Sequence, residues 1–479
     1  MPAASTKPLP SPFRLSNEDQ ALLAERLEQA IKRARRDGAR SLAAVTVEID
    51  PGLDLSAAVL AARREDDRFF CFEQPDRDGF ALAGLGQAAL LEAAGPSRFK
   101  EVAEAARELG RRAYSDEGGP AASGPVFVGG FAFAHDGGAA PEWSSLSPAS
   151  LLLPCVSLSR HRGEARMTVA AVLDGDEAHE AVLERLVARV EELVPAAMPL
   201  LDPDPVERAR VASVAPPTHY EHAVERAVER IRAGELEKVV LAREVRVHAG
   251  RDHDPGPILG ALRDVFPACF CWCVGTPELA FVGASPELLV RRDGARAQSV
   301  ALAGTTRRSA DPAVDDHLGE QLSRSPKERE EQAIVARRIE RTLEPVSVWV
   351  TVADQPVLVK VQNLQHLGTP IRAQLADPIP AVELAGRLMP TPAVGGEPQE
   401  RALPLIPALE GLDRGWYAGA VGWTDLAEDG EFCVALRCAL LRGPVAHLYA
   451  GCGIVRDSVP AEELAESEVK LQALLPLLA

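Results

Sequence analysis

The sequence predicts an α+β (mixed α/β) fold built on large, mostly antiparallel sheets. Three observations carry this prediction. Strand-like apolar runs follow one another directly over 129–173, 268–292 and 416–453. Helical periodicity comes in separate pieces, whereas a doubly wound parallel sheet would alternate strand and helix more strictly. The 479 residues are 46% hydrophobic and 25% charged, a soluble globular balance with ample apolar material for a core.

The elements follow in order. The first dozen residues are rich in proline and serine and are expected to be loose. Asn17 caps a helical pattern that runs to about Arg36. Strands are expected at SLAAVTVEID, RFFCFEQ and GFALAGLG, then a helix over 97–113. GGFAF, LLLPCVSL and MTVAAVL each read as one strand, and a helix over 177–193 closes this part. Residues 195–217 hold Pro195, Pro199, Pro203, Pro205, Pro216 and Pro217, a density that suggests a connection between an N-terminal half, 1–200, and a second region, 215–479. A surface crossing within one domain fits it equally. The second region opens with a helix over 218–233 and the strand LEKVVLAREVRV. A helix (256–265), strands at 268–275, 279–284 and 288–292, and a long charged helix over 326–343 follow. Strands at 347–353 and 357–364, a short helix (380–388), strands at 416–424, 432–442 and 446–453, and a helix over 460–478 complete it.

Acidic residues number 70 and basic residues 52, giving a net charge of −18. That disfavours a nucleic-acid partner, which needs a concentrated basic face. It leaves room for a small anion in a local basic pocket or on a metal ion. No apolar run approaches membrane-spanning length and no secretory h-region is visible, so a cytoplasmic protein is expected. None of the eight cysteines forms a CxxC pair. Cys269, Cys271 and Cys273 alternate as on one face of a strand, and all eight are expected to be reduced.

No phosphate-loop, dinucleotide, zinc-protease or nucleophile-elbow motif stands in a convincing context. Charged residues in apolar surroundings remain. Lys238 shares its strand face with Val240 and Ala242; desolvation of such a lysine favours a neutral amine able to act as a general base. A strand-end lysine with its ammonium in water is the alternative. Glu287 follows a Ser-Pro turn, where partial burial suits a general acid and a turn-flanking glutamate is the plainer account. Glu328 and Glu331, and likewise Glu463 and Glu466, are spaced to share a helix face and could hold Mg²⁺. They also suit helix N-termini, and Ser325-Pro326-Lys327-Glu328 reads as a capping box. Arg437 sits in the apolar run FCVALRCALL and needs an anion, from protein or ligand. Lys470, Gly451 and Gly453 could join it in binding carboxylates, while His366 reads as a polar tip after a strand.

Along 218–478 the chain carries, in order, LEKVVLARE, FVGASPELLVRR, LAGTTRR, SPKEREEQ, VQNLQHLGTPIRA, PTPAVGGEP, GWYAGAVGW, VALRCALL, YAGCGIVRDSVP and ELAESEVKL. In combination these resemble the chorismate-utilising enzymes: isochorismate synthases, salicylate synthases, and the large subunits of anthranilate and aminodeoxychorismate synthases. The first 200 residues resemble the variable half of that fold, with GFALAGLG as a weaker match. Lysine at 238, where ammonia-using relatives commonly carry glutamine, and the absence of a Leu-Leu-Glu-Ser motif favour the water-using group. GWYAGAVGW and KVVLARE look most like isochorismate synthases.

The resemblance implies sheets packed face to face with helices outside, and an active-site cleft in the C-terminal half. It implies that Lys238 deprotonates water for attack at C2 of chorismate, and that Glu287 protonates the departing C4 hydroxyl. Mg²⁺ would sit on Glu331 and Glu466, with Glu328 and Glu463 binding directly or through water. Arg437, Tyr417, Lys470, Gly451 and Gly453 would hold the two carboxylates; Gly304, Thr305 and Thr369 would line the ring pocket, with His366 near the ring or its pyruvyl ether. The expected partner is chorismate, with no nucleic acid or membrane, in a monomer or weak homodimer. Menaquinone or catechol siderophore synthesis is the implied pathway. A salicylate synthase, a non-catalytic chorismate-binding protein and an ammonia-using synthase are the alternatives. Two positions depart from the common pattern: Gln332 and Met389 stand where the family often has histidine.

Overall fold

A computed structural model describes residues 12–116, 118–202, 209–362 and 364–479. Residues 1–11, most of the expected loose start, and Pro203 and Pro205 of the proline-rich stretch lie outside them. Among the described residues the chain forms two sheets, of thirteen and ten strands. Pairing is antiparallel throughout, apart from Ser41–Ile49 with Ala113–Tyr114.

Each sheet joins strands from both halves of the chain. In the larger one, Lys238–His248, Val445–Ile454, Cys438–Arg442, Ala280–Ser285 and Phe270–Gly275 lie side by side, and Phe270–Gly275 then pairs with Phe69–Gln74. In the smaller one, Leu364–Leu375, Arg296–Arg307, Leu288–Asp293, Gly430–Val434 and Ala420–Asp425 lead on to Val126–Phe131. Strand alternation divides the core. Phe70 and Phe72 belong to the apolar cluster that also holds Phe127, Phe131 and Phe432 of the smaller sheet. Phe69 and Cys71, one step out of phase, pack on the other side in a second cluster with Leu27, Ala58, Val59 and Leu60. Cys269, Cys271 and Cys273 share that second cluster, and all eight cysteines are free thiols.

Four apolar segments pass from one sheet to the other, the first from Phe80–Leu85 in the larger to Ala89–Ala93 in the smaller through residues 86–88. Ala149–Leu153 belongs to the smaller sheet and Val156–His161 to the larger; Pro154, which has no N–H to donate, stands at the corner. Ala280–Ser285 leads to Leu288–Asp293 through Pro286 and Glu287. Gly430–Val434 leads to Cys438–Arg442 through residues 435–437, where Arg437 adopts φ +49°. LLLPCVSL and 432–442, each expected as one strand, are therefore two strands apiece, because apolar periodicity runs through a sheet change without interruption.

Other corrections are local. Ser16, not Asn17, caps the first helix, in a capping box with Asp19. The strand Arg296–Arg307, the helix Pro312–Arg324 and most of the strand Leu364–Leu375 were not expected, so His366 lies inside a strand rather than after one. The helix Gln399–Glu410 contains Pro404 and Pro407, which hide it from a propensity argument. The last helical stretch is two helices, Pro460–Leu471 and Leu475–Leu478. The helix Pro326–Leu343 starts at its Ser325 cap and buries Gln332, Val335, Ala336, Ile339 and Leu343 on one face. It packs on Arg296–Arg307, while Pro460–Leu471 packs on Val445–Ile454, which brings the two glutamate pairs to one place.

Candidate active site

These strands and helices enclose a solvent-open cavity lined by both polar and apolar groups. One wall is the strand pair Lys238–His248 and Val445–Ile454, in which Val240 faces Gly453 and Ala242 faces Gly451. Glycine is needed at both positions. A Cβ at 453 would run into the Glu331 carboxylate and come within 2.8 Å of Lys238 Cε; one at 451 would lie 3.1 Å from Tyr417 Oη. Lys238 is fully buried and is not on the cavity wall. Its Nζ donates to Glu331 Oε1 at 2.8 Å, and Glu331 does line the cavity. The solvated strand-end alternative for Lys238 is thereby removed.

The sheet-switching corners supply the next two groups. Glu287 and Arg437 both line the cavity, and the corners are tied by hydrogen bonds from Val434 N to Glu287 O (3.0 Å) and from Ala284 N to Arg437 O (3.0 Å). A strand interior would have directed these side chains above or below a sheet; the corner turns them into the space at its end. Burial pushes the Glu287 carboxyl up to about 8, against the opposing pull of Lys238 and Arg437. Burial lowers the Arg437 guanidinium, and no acidic side chain forms a salt bridge with it among the described residues, leaving a cation aimed at a cavity.

Gly304 and Thr305 sit at a register shift between Arg296–Arg307 and Leu364–Leu375, where Gly304 has φ +73°. Thr305 N donates to Glu328 Oε2 at 3.1 Å. His366 Nδ1 donates to Gly304 O at 3.3 Å and lies 3.1 Å from Thr305 Oγ1; its Nε2 receives Arg437 Nη2 at 3.5 Å. Burial, then Arg437 and Lys470, lower His366 to about 3, so it is a neutral imidazole. Thr369 does not line the cavity: its hydroxyl accepts from Gln332 Nε2 at 2.9 Å, and Gln332 also donates to Ala301 O at 2.8 Å. Gln332 thus fastens its helix to the strand beneath.

The acidic corner holds Glu328, Glu331, Glu463 and Glu466. Burial raises Glu328 to about 7, reinforced by the charges of Glu331 and Glu466. Burial and Glu466 also raise Glu463. Burial works to raise Glu466 too, but Lys470, 2.7 Å away, prevails and holds it below the usual range. Ser325 Oγ does accept from Glu328 N at 3.4 Å, so the helix is capped. Yet the Glu328 carboxylate is engaged by Thr305 rather than by the cap, and the box is half made. Glu463 and Glu466 offer oxygens within 4.8 Å of one another, close enough to share one small divalent cation, and Glu328 and Glu331 line the same cavity. Cys452 Sγ lies with the Glu463 and Glu466 oxygens, but burial raises its thiol well above its ordinary range, so it offers no thiolate.

Lys470 Nζ also donates to Gly451 O at 2.8 Å, and Tyr417 stacks on Tyr449 with ring centroids 5.1 Å apart. Sequence reasoning missed Lys327, Tyr449 and Val394, all on the wall. Lys327 pairs with Glu463 at 3.3 Å and was absorbed in the capping motif. Tyr449 was findable, since 449, 451 and 453 share one face of a strand. An acidic protein thus concentrates Lys327, Arg437 and Lys470 around one cavity.

The comparisons with known proteins agree with this picture. Residues 29–479 match the family described as chorismate binding enzyme. The chain is 33% identical to isochorismate synthase MenF of Bacillus subtilis over 424 residues, covering 87% of this chain and 89% of that protein. It is 36% identical over 474 residues to the salicylate biosynthesis isochorismate synthase of Pseudomonas aeruginosa, covering 96% and 95%. The solved structure of MenF, the menaquinone-specific isochorismate synthase of Escherichia coli, superposes with a TM-score of 0.78 at 26% identity, over 95% of this chain and all of that one. A match over almost the whole chain, with relatives of similar length, establishes that this protein belongs to the chorismate binding enzyme family.

Proposed function

We propose that this protein is a Mg²⁺-dependent isochorismate synthase that interconverts chorismate and isochorismate. The observation that carries the reading is the placement of Lys238 and Glu287. Both are buried, the Lys238 charge acts on the Glu287 carboxyl, and while Glu287 lines the cavity, Lys238 stands just behind its wall, hydrogen-bonded to the lining Glu331.

In this reading the Lys238 amine takes a proton from water as its oxygen bonds to C2 of the ring. Both ring double bonds shift, C1=C2 to C1=C6 and C5=C6 to C4=C5, as the C4–O bond breaks, and Glu287 gives its proton to the leaving hydroxyl, which departs as water. A carboxyl raised to about 8 keeps its proton at neutral pH. Glu331 and Glu466, with Glu328 and Glu463 directly or through water, would hold Mg²⁺, which when bound offsets the negative charge of the ring carboxylate. Arg437 and Lys470, with Tyr417 and the backbone at Gly451 and Gly453, receive the carboxylates. Gly304 and Thr305 border the ring, and neutral His366 accepts from Arg437 and so orients it without adding charge. Thr369 acts at one remove, through Gln332.

Full-length similarity to proteins named isochorismate synthase supports water as nucleophile and isochorismate as product. Chromatography after incubation with chorismate and Mg²⁺ tests this. Isochorismate is expected; salicylate with pyruvate would assign the salicylate synthase chemistry, an amino product with ammonium salts would assign an ammonia-using one, and no turnover would leave a binding protein. Menaquinone and catechol siderophore synthesis are the routes such a product would feed. No helix among the described residues is long and apolar enough to cross a membrane.

A further inference from the structure

The strand that carries Lys238 has a gap along one edge. On one side Lys238–His248 pairs continuously with Val445–Ile454, from Val239 opposite Ile454 to His248 opposite Val445. On the other side Gly396–Glu397 covers Lys238 and Val239, and Arg210–Ser213 covers Val245 to His248. Among the described residues, 240–244 have no strand neighbour on that side. A buried ion pair fills part of the space. Glu410 accepts from Ala242 N at 2.6 Å, and Arg414 Nη2 donates to Val240 O at 2.9 Å. One carboxylate and one guanidinium supply the acceptor and donor that a strand would have supplied.

Arg414 reaches further. Its Nη1 donates to Val394 O at 2.7 Å, its Nε donates to Glu410 Oε2 at 3.0 Å, and its own carbonyl accepts from Tyr417 N at 2.9 Å. Its guanidinium lies 4.4 Å from the Phe133 ring centroid and 5.8 Å from that of Tyr417. Val240, Val394 and Tyr417 come from three separate segments, and all three line the cavity. Arg414 itself does not. A buried ion pair gives little net stability over apolar packing of the same volume, so its role is better sought in geometry. We propose that Arg414, oriented by Glu410, is a positioning residue that holds the Lys238 strand, the 390–395 loop and Tyr417 in mutual register around the substrate. This rests on the chorismate reading of the cavity.

The test is Arg414→Lys, with Glu410→Gln beside it. Lysine keeps the charge opposite Glu410, but one ammonium lacks the planar fork that serves two carbonyls and a carboxylate together. Small misplacements of reacting groups cost up to about 100-fold in rate, and a loss of about tenfold or more in kcat/KM is expected for Arg414→Lys. The loss should appear in protein that circular dichroism shows to be folded at the assay temperature, with the Mg²⁺ titration midpoint unchanged. Glu410→Gln, which keeps an acceptor for Ala242 N, should lose less. Wild-type kcat and KM in folded Arg414→Lys overturn the proposal. So does a loss that merely tracks the unfolded fraction, and so does failure of both variants to fold, which would make the pair a folding element. Wild-type protein that does not turn over chorismate overturns the functional reading instead.

Discussion

Replacing Glu287 with glutamine separates acid catalysis from binding. The side chain is buried at the sheet corner, and its carboxyl is raised from 4.5 to about 8 by burial. At pH 7 it is therefore roughly nine-tenths protonated, and at pH 9 roughly nine-tenths ionised. Glutamine matches the neutral acid in size and charge but has no acidic proton to give. Chorismate affinity, read by ligand-induced thermal shift, should stay within about twofold, whereas kcat should fall by about 10²–10⁴, or about 3–5 kcal/mol of transition-state stabilisation. The wild-type kcat/KM profile should have an alkaline limb near pH 8. Stability gives a second readout. A carboxyl with a raised folded pKa binds more protons folded than unfolded, so its contribution is fully present below pH 4.5 and is lost as pH rises toward 8. The loss has an upper bound of about 5 kcal/mol, and Glu287→Gln should remove that slope, gaining stability over wild type in alkaline buffer. A variant with near-normal kcat would refute the acid role; one whose loss lies wholly in KM would make Glu287 a binding residue.

Three other substitutions probe the remaining parts. Lys238→Ala should abolish water addition, with ligand-induced thermal stabilisation by chorismate largely kept; a normal kcat would remove Lys238 from the mechanism. Glu466→Ala should raise the Mg²⁺ concentration for half-maximal activity at least about tenfold, and an unchanged titration would return this residue to a helix-terminus role. Gly453→Ala should lower kcat at least about tenfold, because its methyl would press on the Lys238–Glu331 pair; unchanged kinetics would show that this contact is free to give.

What is legible in the sequence follows from periodicity. Glu328 with Glu331, and Glu463 with Glu466, stand out because a helix brings positions three apart to one face. Period-two alternation placed Lys238 with Val240, and Cys271 with Cys273. The site's other groups depend on features without a period. Glu287 and Arg437 reach the cavity because their chains change sheets, and an apolar run looks the same on both sides of such a corner. The bulge at Gly304 and the strand around His366 are set by pairing with distant residues, Thr305 against His366 among them. No sequence signal singles out Glu410 and Arg414; their hydrogen bonds with Ala242 N and Val240 O beside the gap at 240–244 give the pair its meaning. Thr369, inferred from resemblance alone, turns out to face Gln332.

The central claim is that solvent water enters at C2 while the C4 hydroxyl leaves. Turnover of chorismate in water enriched in oxygen-18, followed by mass spectrometry of the isochorismate, tests it most directly. The account predicts one heavy oxygen in the product hydroxyl at C2 for the wild-type protein, and none formed by Lys238→Ala. Isochorismate that keeps the ordinary isotope at C2, its hydroxyl handed across the ring from C4, would contradict it.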